Sequence, residues 1–117
     1  MARPHKYGAK PTTVDGIRFA SKKEATRYGE LRLLERAGEI HELHLQPCFE
    51  LFAFPHGVLV GQYRADFQYC QCAAAVHDGC CDDSMSVVED VKGFKTPLYR
   101  WKKKHVEAQY GISIREI

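Results

Sequence analysis

The stretch "SVVEDVKGFKTPLYRWKKKH", Ser86 to His105, holds a β-branched run and then a helix start. Val87 to Lys92 predicts a strand. Thr96 is a good N-cap and Pro97 suits the first helical position, so a helix is expected from there to Gly111. The tail "ISIREI" alternates and predicts a closing strand. Strand, helix, strand is half of a layered α/β unit. Within the run, alternation puts Val88, Asp90 and Lys92 on one face and Val87, Glu89 and Val91 on the other. Lys92 therefore partners Asp90 and not Glu89. Gly93 is the expected strand end, where Lys92 is released toward a cleft.

Upstream, "VLVGQYRADFQYCQC" at 58–72 reads as one long strand. Arg64, Asp66 and Gln68 would share one face, with Tyr63, Ala65, Phe67 and Tyr69 on the other. The Asp78-Gly79 turn signal would fold this strand back onto 86–93 as an antiparallel pair. Asp66 and Asp90 would then lie side by side. An acid inside an aromatic-rich strand is costly to bury unless it is paired or binds a metal. Two close carboxylates repel, and an all-oxygen set with open positions suits Mg²⁺ or Mn²⁺.

Further out, "CFELFAF" and "IHELHLQP" are extended. "SKKEATRYGELRLLERAGEI" predicts a helix over 21–37, with Ser21 as N-cap and Gly38 ending it. Ala25, Tyr28, Leu31 and Leu34 fall at helical spacing. Glu24 sits three residues after Ser21. It either closes a capping box or adds a third carboxylate. Asp15-Gly16 between Val14 and Ile17 predicts a hairpin. Residues 1–12 are a basic, polar arm, and 13–117 one domain.

The 117 residues suffice for one compact domain with a modest core. No window approaches the ~18 apolar residues of a membrane span. The N-terminus lacks the apolar region of a signal peptide, so an intracellular setting is expected. The net charge of +2 is unevenly spread. Residues 1–36 carry 9 basic against 4 acidic side chains, 37–91 carry 1 against 9, and 92–117 carry 7 against 2. An acidic centre between basic ends suits a metal among anionic ligands with a polyanion around it. Of five cysteines, Cys70, Cys72, Cys80 and Cys81 are close in sequence. Thiolates at this density can hold Zn²⁺. The spacing is not a paired C-x₂-C knuckle, however, and free thiols in a hairpin tip are the preferred reading.

The four blocks "DGIRFASKKEATRYGEL", "LQPCFEL", "YRADFQY" and "VVEDVKGFKTPLYRWKKK" together resemble a family of small phage-encoded proteins. That family was formerly a domain of unknown function and is assigned to the PD-(D/E)xK nuclease superfamily. The resemblance implies a restriction-endonuclease-like αβββαβ core of the α/β class, a mixed sheet flanked by helices. It implies Mg²⁺- or Mn²⁺-dependent endonuclease activity on DNA, similar to Holliday-junction resolvases and TnsA-like nucleases. By resemblance Asp66 and Asp90 ligate metal, Glu24 is the helix carboxylate, and Lys92 contacts water or phosphate. Gln46 of "LQP" is a candidate supporting residue. Ala65 stands where the superfamily has proline. Lys22, Lys23, Lys95, Arg100, Lys102 and Lys103 are the candidates for DNA phosphates. Two-strand cutting needs two sites, which a homodimer would supply, in the cytoplasm of a bacterial host. Two rival readings are an inactive DNA-binding module with the same fold and a zinc-stabilised interaction protein.

Overall fold

The computed structural model describes residues 11–72, 85–92 and 94–117. Residues 1–10 of the expected arm, the Asp78-Gly79 turn, Cys80, Cys81 and Gly93 lie outside the described residues.

The chain opens on a hairpin of β1 (Thr12–Val14) and β2 (Ile17–Phe19). Asp15 and Gly16 take φ of 52° and 75°, the paired left-handed positions of a type I′ turn. Helix α1 (Lys22–Arg36) is capped by Ser21, whose hydroxyl accepts from the Glu24 amide at 3.1 Å. Gly38, at φ 78°, follows the last turn and donates to the Glu35 carbonyl. Ala25, Tyr28 and Leu31 are buried, but Leu34 is 37% exposed. Steps of three residues lag the helix by about 60° each. By Leu34 the stripe has turned to the side opposite Ala25.

The core sheet runs β3 (His41–Leu45), β6 (Phe67–Cys70), β7 (Ser86–Asp90), β8 (Ile114–Glu116). β3–β6 and β6–β7 are antiparallel, and β7–β8 is parallel. A parallel neighbour needs a crossover. Here that is α2 (Pro97–Tyr110), started by the Thr96 hydroxyl on the Tyr99 amide and closed by Gly111 at φ 66°. Helix α1 packs with Phe67, Tyr69 and Val91 in one core cluster. Helix α2 packs with Val88 and Ile114 in a second. Since Val88 and its neighbour Glu89 point to opposite faces of β7, the two helices flank the sheet from opposite sides. The result is a mixed sheet flanked by two helices, the restriction-endonuclease-like αβ core that the family resemblance implies. No helix among the described residues is long and apolar enough to cross a membrane.

The strand expected over 58–72 is two strands. β5 (Val58–Arg64) pairs with β4 (Cys48–Ala53) as a separate hairpin, with β6 in the core sheet. The Ala65 amide donates to the Pro47 carbonyl at 3.1 Å, and the next amide, Asp66, to the Glu89 carbonyl at 3.1 Å. The chain changes partners between those two residues, and alternation does not survive the change. Tyr63 and Ala65 pack with α2, whereas Phe67 and Tyr69 pack with α1. A proline at 65 would lack the donor that ties it to Pro47. β7 also stops at Asp90, so Lys92 lies two residues beyond the strand.

Candidate active site

The partner change sets Asp66 on a bend with each backbone group engaged. Its carbonyl accepts from the Gln46 amide at 2.9 Å. Its carboxylate oxygen Oδ2 accepts from the Val91 amide at 2.7 Å, which pins the side chain over the end of β7. Phe67 is registered against Glu89, so Asp66 neighbours Asp90. The Asp66 carboxyl faces Glu24 on one side and Asp90 on the other. Ser21 supplies its half of the capping box, and the Glu24 carboxyl acts on Asp66. Glu24, Gln46 and Asp66 line a cleft of about 280 Å³ together with Arg18 and Phe19.

Asp90 is fully buried behind this cleft. Its Oδ2 accepts from the Tyr63 hydroxyl. Its Oδ1 lies 3.4 Å from Lys92 Nζ, yet has no hydrogen-bond partner of its own. The Lys92 ammonium also stands 4.8 Å from the centre of the Tyr99 ring, a cation–π contact. The Tyr99 hydroxyl donates to Glu116 at 2.8 Å. Lys92 is thus oriented by an acid and a ring that are themselves held.

Burial pushes both aspartates up. Asp66 is raised to about 7 by desolvation and then by Glu24, and the Val91 amide pulls the other way. Asp90 is also raised to about 7, by desolvation and by Asp66, against the opposing pull of the Tyr63 hydroxyl and Lys92. A carboxyl whose folded pKa exceeds its unfolded value lends stability that is whole below the unfolded pKa and lost as pH rises through the folded one. In chelator-treated protein, the melting temperature is expected to fall between about pH 5 and pH 8 for this reason. Calorimetry across that range checks it. Asp66→Asn, which keeps an acceptor for the Val91 amide, should flatten the decline. An equally steep fall in that variant would contradict the assignment.

Sequence reasoning did not give Tyr63, Glu89 or Arg27 a part in the site. Tyr63 was placed on the face away from the acids, and the break after Arg64 brings it to Asp90. Glu89, on the far face of β7, is fully buried against α1. The Arg27 guanidinium forks onto it, with Nε at 2.7 Å and Nη2 at 2.6 Å. The Tyr69 hydroxyl donates to the same carboxylate, and Arg115 lies 3.8 Å away. Arg27 is one helical turn past Glu24, so this fork fixes the helix that carries Glu24. No sequence signal joins residues so far apart. The aromatic density around Asp66 was the one hint that hydroxyls would reach the acids.

Among the phosphate candidates, Lys22, Lys23 and Arg100 are exposed and Lys102 is half-buried. Lys95 and Lys103 both stand 3.3 Å from the same Glu116 oxygen, so each already has a partner. Cys70 and Cys72 are buried. Among the described residues no group of three or more His, Cys, Asp or Glu is drawn together closely enough to hold a metal ion. The carboxylates meet in pairs through Asp66.

A family model described as a protein of unknown function (DUF1064) matches residues 4–115. No curated protein and no solved structure matches the chain.

Proposed function

We propose, for a chain that belongs to this phage-associated family linked to PD-(D/E)xK-like nuclease folds, metal-dependent hydrolysis of DNA phosphodiester bonds at Glu24, Asp66, Asp90 and Lys92. The observation that carries it is the buried Oδ1 of Asp90, which accepts no hydrogen bond and lies 3.4 Å from the Lys92 ammonium, beside a second raised carboxyl. A buried acceptor with no hydrogen bond costs about 1–3 kcal/mol, a cost the ion pair to Lys92 offsets in part.

The donor set fits a hard divalent cation, since every candidate ligand atom is a carboxylate oxygen. Asp66, Asp90 and Glu24 are the residues that would hold Mg²⁺ or Mn²⁺. Such an ion, when bound, polarises a phosphoryl oxygen and lowers the pKa of a water. The chain's own residues do the rest. Asp66 is held by the Val91 amide and Asp90 by the Tyr63 hydroxyl, so neither reorients when charge develops beside it. Lys92, fixed by Asp90 and the Tyr99 ring, presents its ammonium to a phosphate oxygen or to the attacking water. Lys22, Lys23, Arg100 and Lys102 supply backbone phosphate contacts, with Gln46 supporting the cleft. The expected products carry 5′-phosphate and 3′-hydroxyl ends. Branched or structured DNA in phage recombination or replication is the substrate class, in the bacterial host cytoplasm. A homodimer would supply the second cut.

Cleavage of supercoiled, linear and four-way-junction DNA with Mg²⁺, Mn²⁺ or chelator tests the proposal. Intact DNA in all three with both metals would sink it. The absence of a closed three-ligand group among the described residues favours one rival, an inactive DNA-binding module. Metal-independent retention of DNA without cleavage is its signature.

Tyr63→Phe gives a sharper reading. The Tyr63 hydroxyl holds Asp90 below where burial alone would put it. Its loss raises Asp90 further, so the acid limb of the kcat/KM profile should move to higher pH, with the ring packing kept. A uniform drop at every pH would assign Tyr63 a packing role only.

A further inference from the structure

We infer a slot for an unpaired nucleobase between Phe54 and Trp101, on the outer side of α2 and away from the carboxylates. The inference rests on the DNA reading above and deepens it by naming what the substrate presents.

The two rings come from different elements. Phe54 follows β4 at the tip of the β4–β5 hairpin and is 77% exposed. Trp101 is on α2 and is 53% exposed. Both line one cleft of about 470 Å³, with Lys104, His105, Ala108 and Gln109. Residues 101, 104, 105, 108 and 109 form a single helical stripe. The slot is built rather than loose. Gln109 accepts from the Phe52 amide at 2.9 Å and donates to the Glu50 carbonyl at 2.9 Å. His105 Nε2 meets the Phe52 carbonyl at 2.9 Å. Tyr110 donates to the Glu50 carbonyl as well. The hairpin is strapped to α2, which fixes Phe54 relative to Trp101. Trp101 is itself set edge-on to His105, with ring centres 5.4 Å apart.

Large exposed rings that line one cleft offer π faces, and every base has a π face. Charge then favours nucleic acid over a protein core. No acid lines the slot, and Lys104 stands in its wall. Arg100, Lys102 and Lys104 make no ion pair among the described residues, unlike Lys95 and Lys103. Trp101 is two residues past Tyr99, which turns it about 200° around α2, to the exposed side of the helix and away from the Tyr99 ring that holds Lys92. A base reaching the slot therefore comes from a part of the substrate beyond the phosphate at Lys92, and it must be unpaired. Junctions, flaps and frayed ends offer such bases, and intact duplex does not. Val58, Leu59 and Val60 on β5 are exposed as well, and a second copy of this chain seated on the hairpin is the rival occupant.

The test exploits Trp101 as the single tryptophan of the chain. Its fluorescence is followed in full-length protein with chelator present, so binding is read without cleavage. A short single-stranded oligothymidylate should quench it saturably, and an abasic oligonucleotide of the same length should not. Phe54→Ala should weaken oligothymidylate binding about tenfold or more, as expected for loss of one base–aromatic stack, and Phe54→Tyr should retain it. Equal quenching by the abasic strand, or unchanged affinity in Phe54→Ala, overturns the slot. So does a Phe54→Ala variant that dissociates a dimer in sedimentation while binding the oligonucleotide normally, which assigns the patch to a second copy. Protein that quenches but never cuts keeps the slot and loses the nuclease reading. Protein that cuts without quenching loses only the slot.

Discussion

Asp66→Asn and Asp90→Asn are each expected to lower metal-dependent DNA cleavage on the order of a thousandfold, while the protein stays folded. The size follows from the several kcal/mol of charge stabilisation that a catalytic metal site supplies, at about 1.4 kcal/mol per factor of ten. Asparagine keeps an oxygen for the Val91 amide or the Tyr63 hydroxyl and removes only the charge. The same substitutions each remove a buried carboxyl that desolvation first, and then Glu24 at Asp66 or Asp66 at Asp90, raises to about 7. Above that pH, without metal, the variants should therefore melt no lower than the native protein. Loss of activity with retained or raised stability separates a working site from a structural one. Cleavage within tenfold of the native protein in Asp90→Asn would place the chemistry elsewhere, even if the chain proves to be a nuclease.

The largest stability effect is expected at Arg27→Ala. Removing one partner of a buried ion pair costs about 3–5 kcal/mol, because the other charge is left buried. Glu89 is fully buried and Arg27 supplies its two shortest nitrogen contacts. Arg115, at 3.8 Å and half exposed, offers partial compensation and places the effect near the lower end. For a chain of this size about 3 kcal/mol lowers the melting temperature by about 12 °C. Combining Arg27→Ala with Glu89→Leu should recover much of the loss, since the orphaned charge goes too. A drop of only a degree or two in Arg27→Ala would show that Arg115 and the Tyr69 hydroxyl suffice. Cleavage by the folded fraction should also fall, since the fork aligns the turn that carries Glu24.

What was legible in the sequence was local. Asp15-Gly16 names its own turn, and Ser21 and Thr96 name their own helices, because caps and turns are settled within about four residues. Alternation along β7 separated Asp90 from Glu89 without help. The same rule failed across Ala65-Asp66, where the hydrogen-bond partner changes from the β4 side to β7. Nothing in "YRADFQY" marks that exchange, since it depends on Pro47 and Glu89 arriving from elsewhere. Tyr63 was misplaced for the same reason. Arg27 and Glu89 are 62 residues apart, so their fork could not be read from spacing. The slot at Phe54 and Trp101 was missed because tertiary packing alone brings a hairpin tip to a helix side.

The β4–β5 hairpin has a consequence for how such a chain can diversify. Its register shifts between Leu51 and Phe52, so the ribbon has two unequal parts. The base contributes Leu51 and Tyr63 to the interior and reaches Asp90. The tip holds Phe54 and the exposed β5 valines and touches α2 through the Phe52 backbone. Main-chain contacts are indifferent to side-chain identity. The tip is therefore free to change in length and composition while the base and the acids behind it stay fixed. Grafting a different tip beyond Phe52 onto this chain becomes a way to exchange the exposed end of the ribbon without disturbing the arrangement of the acids behind its base.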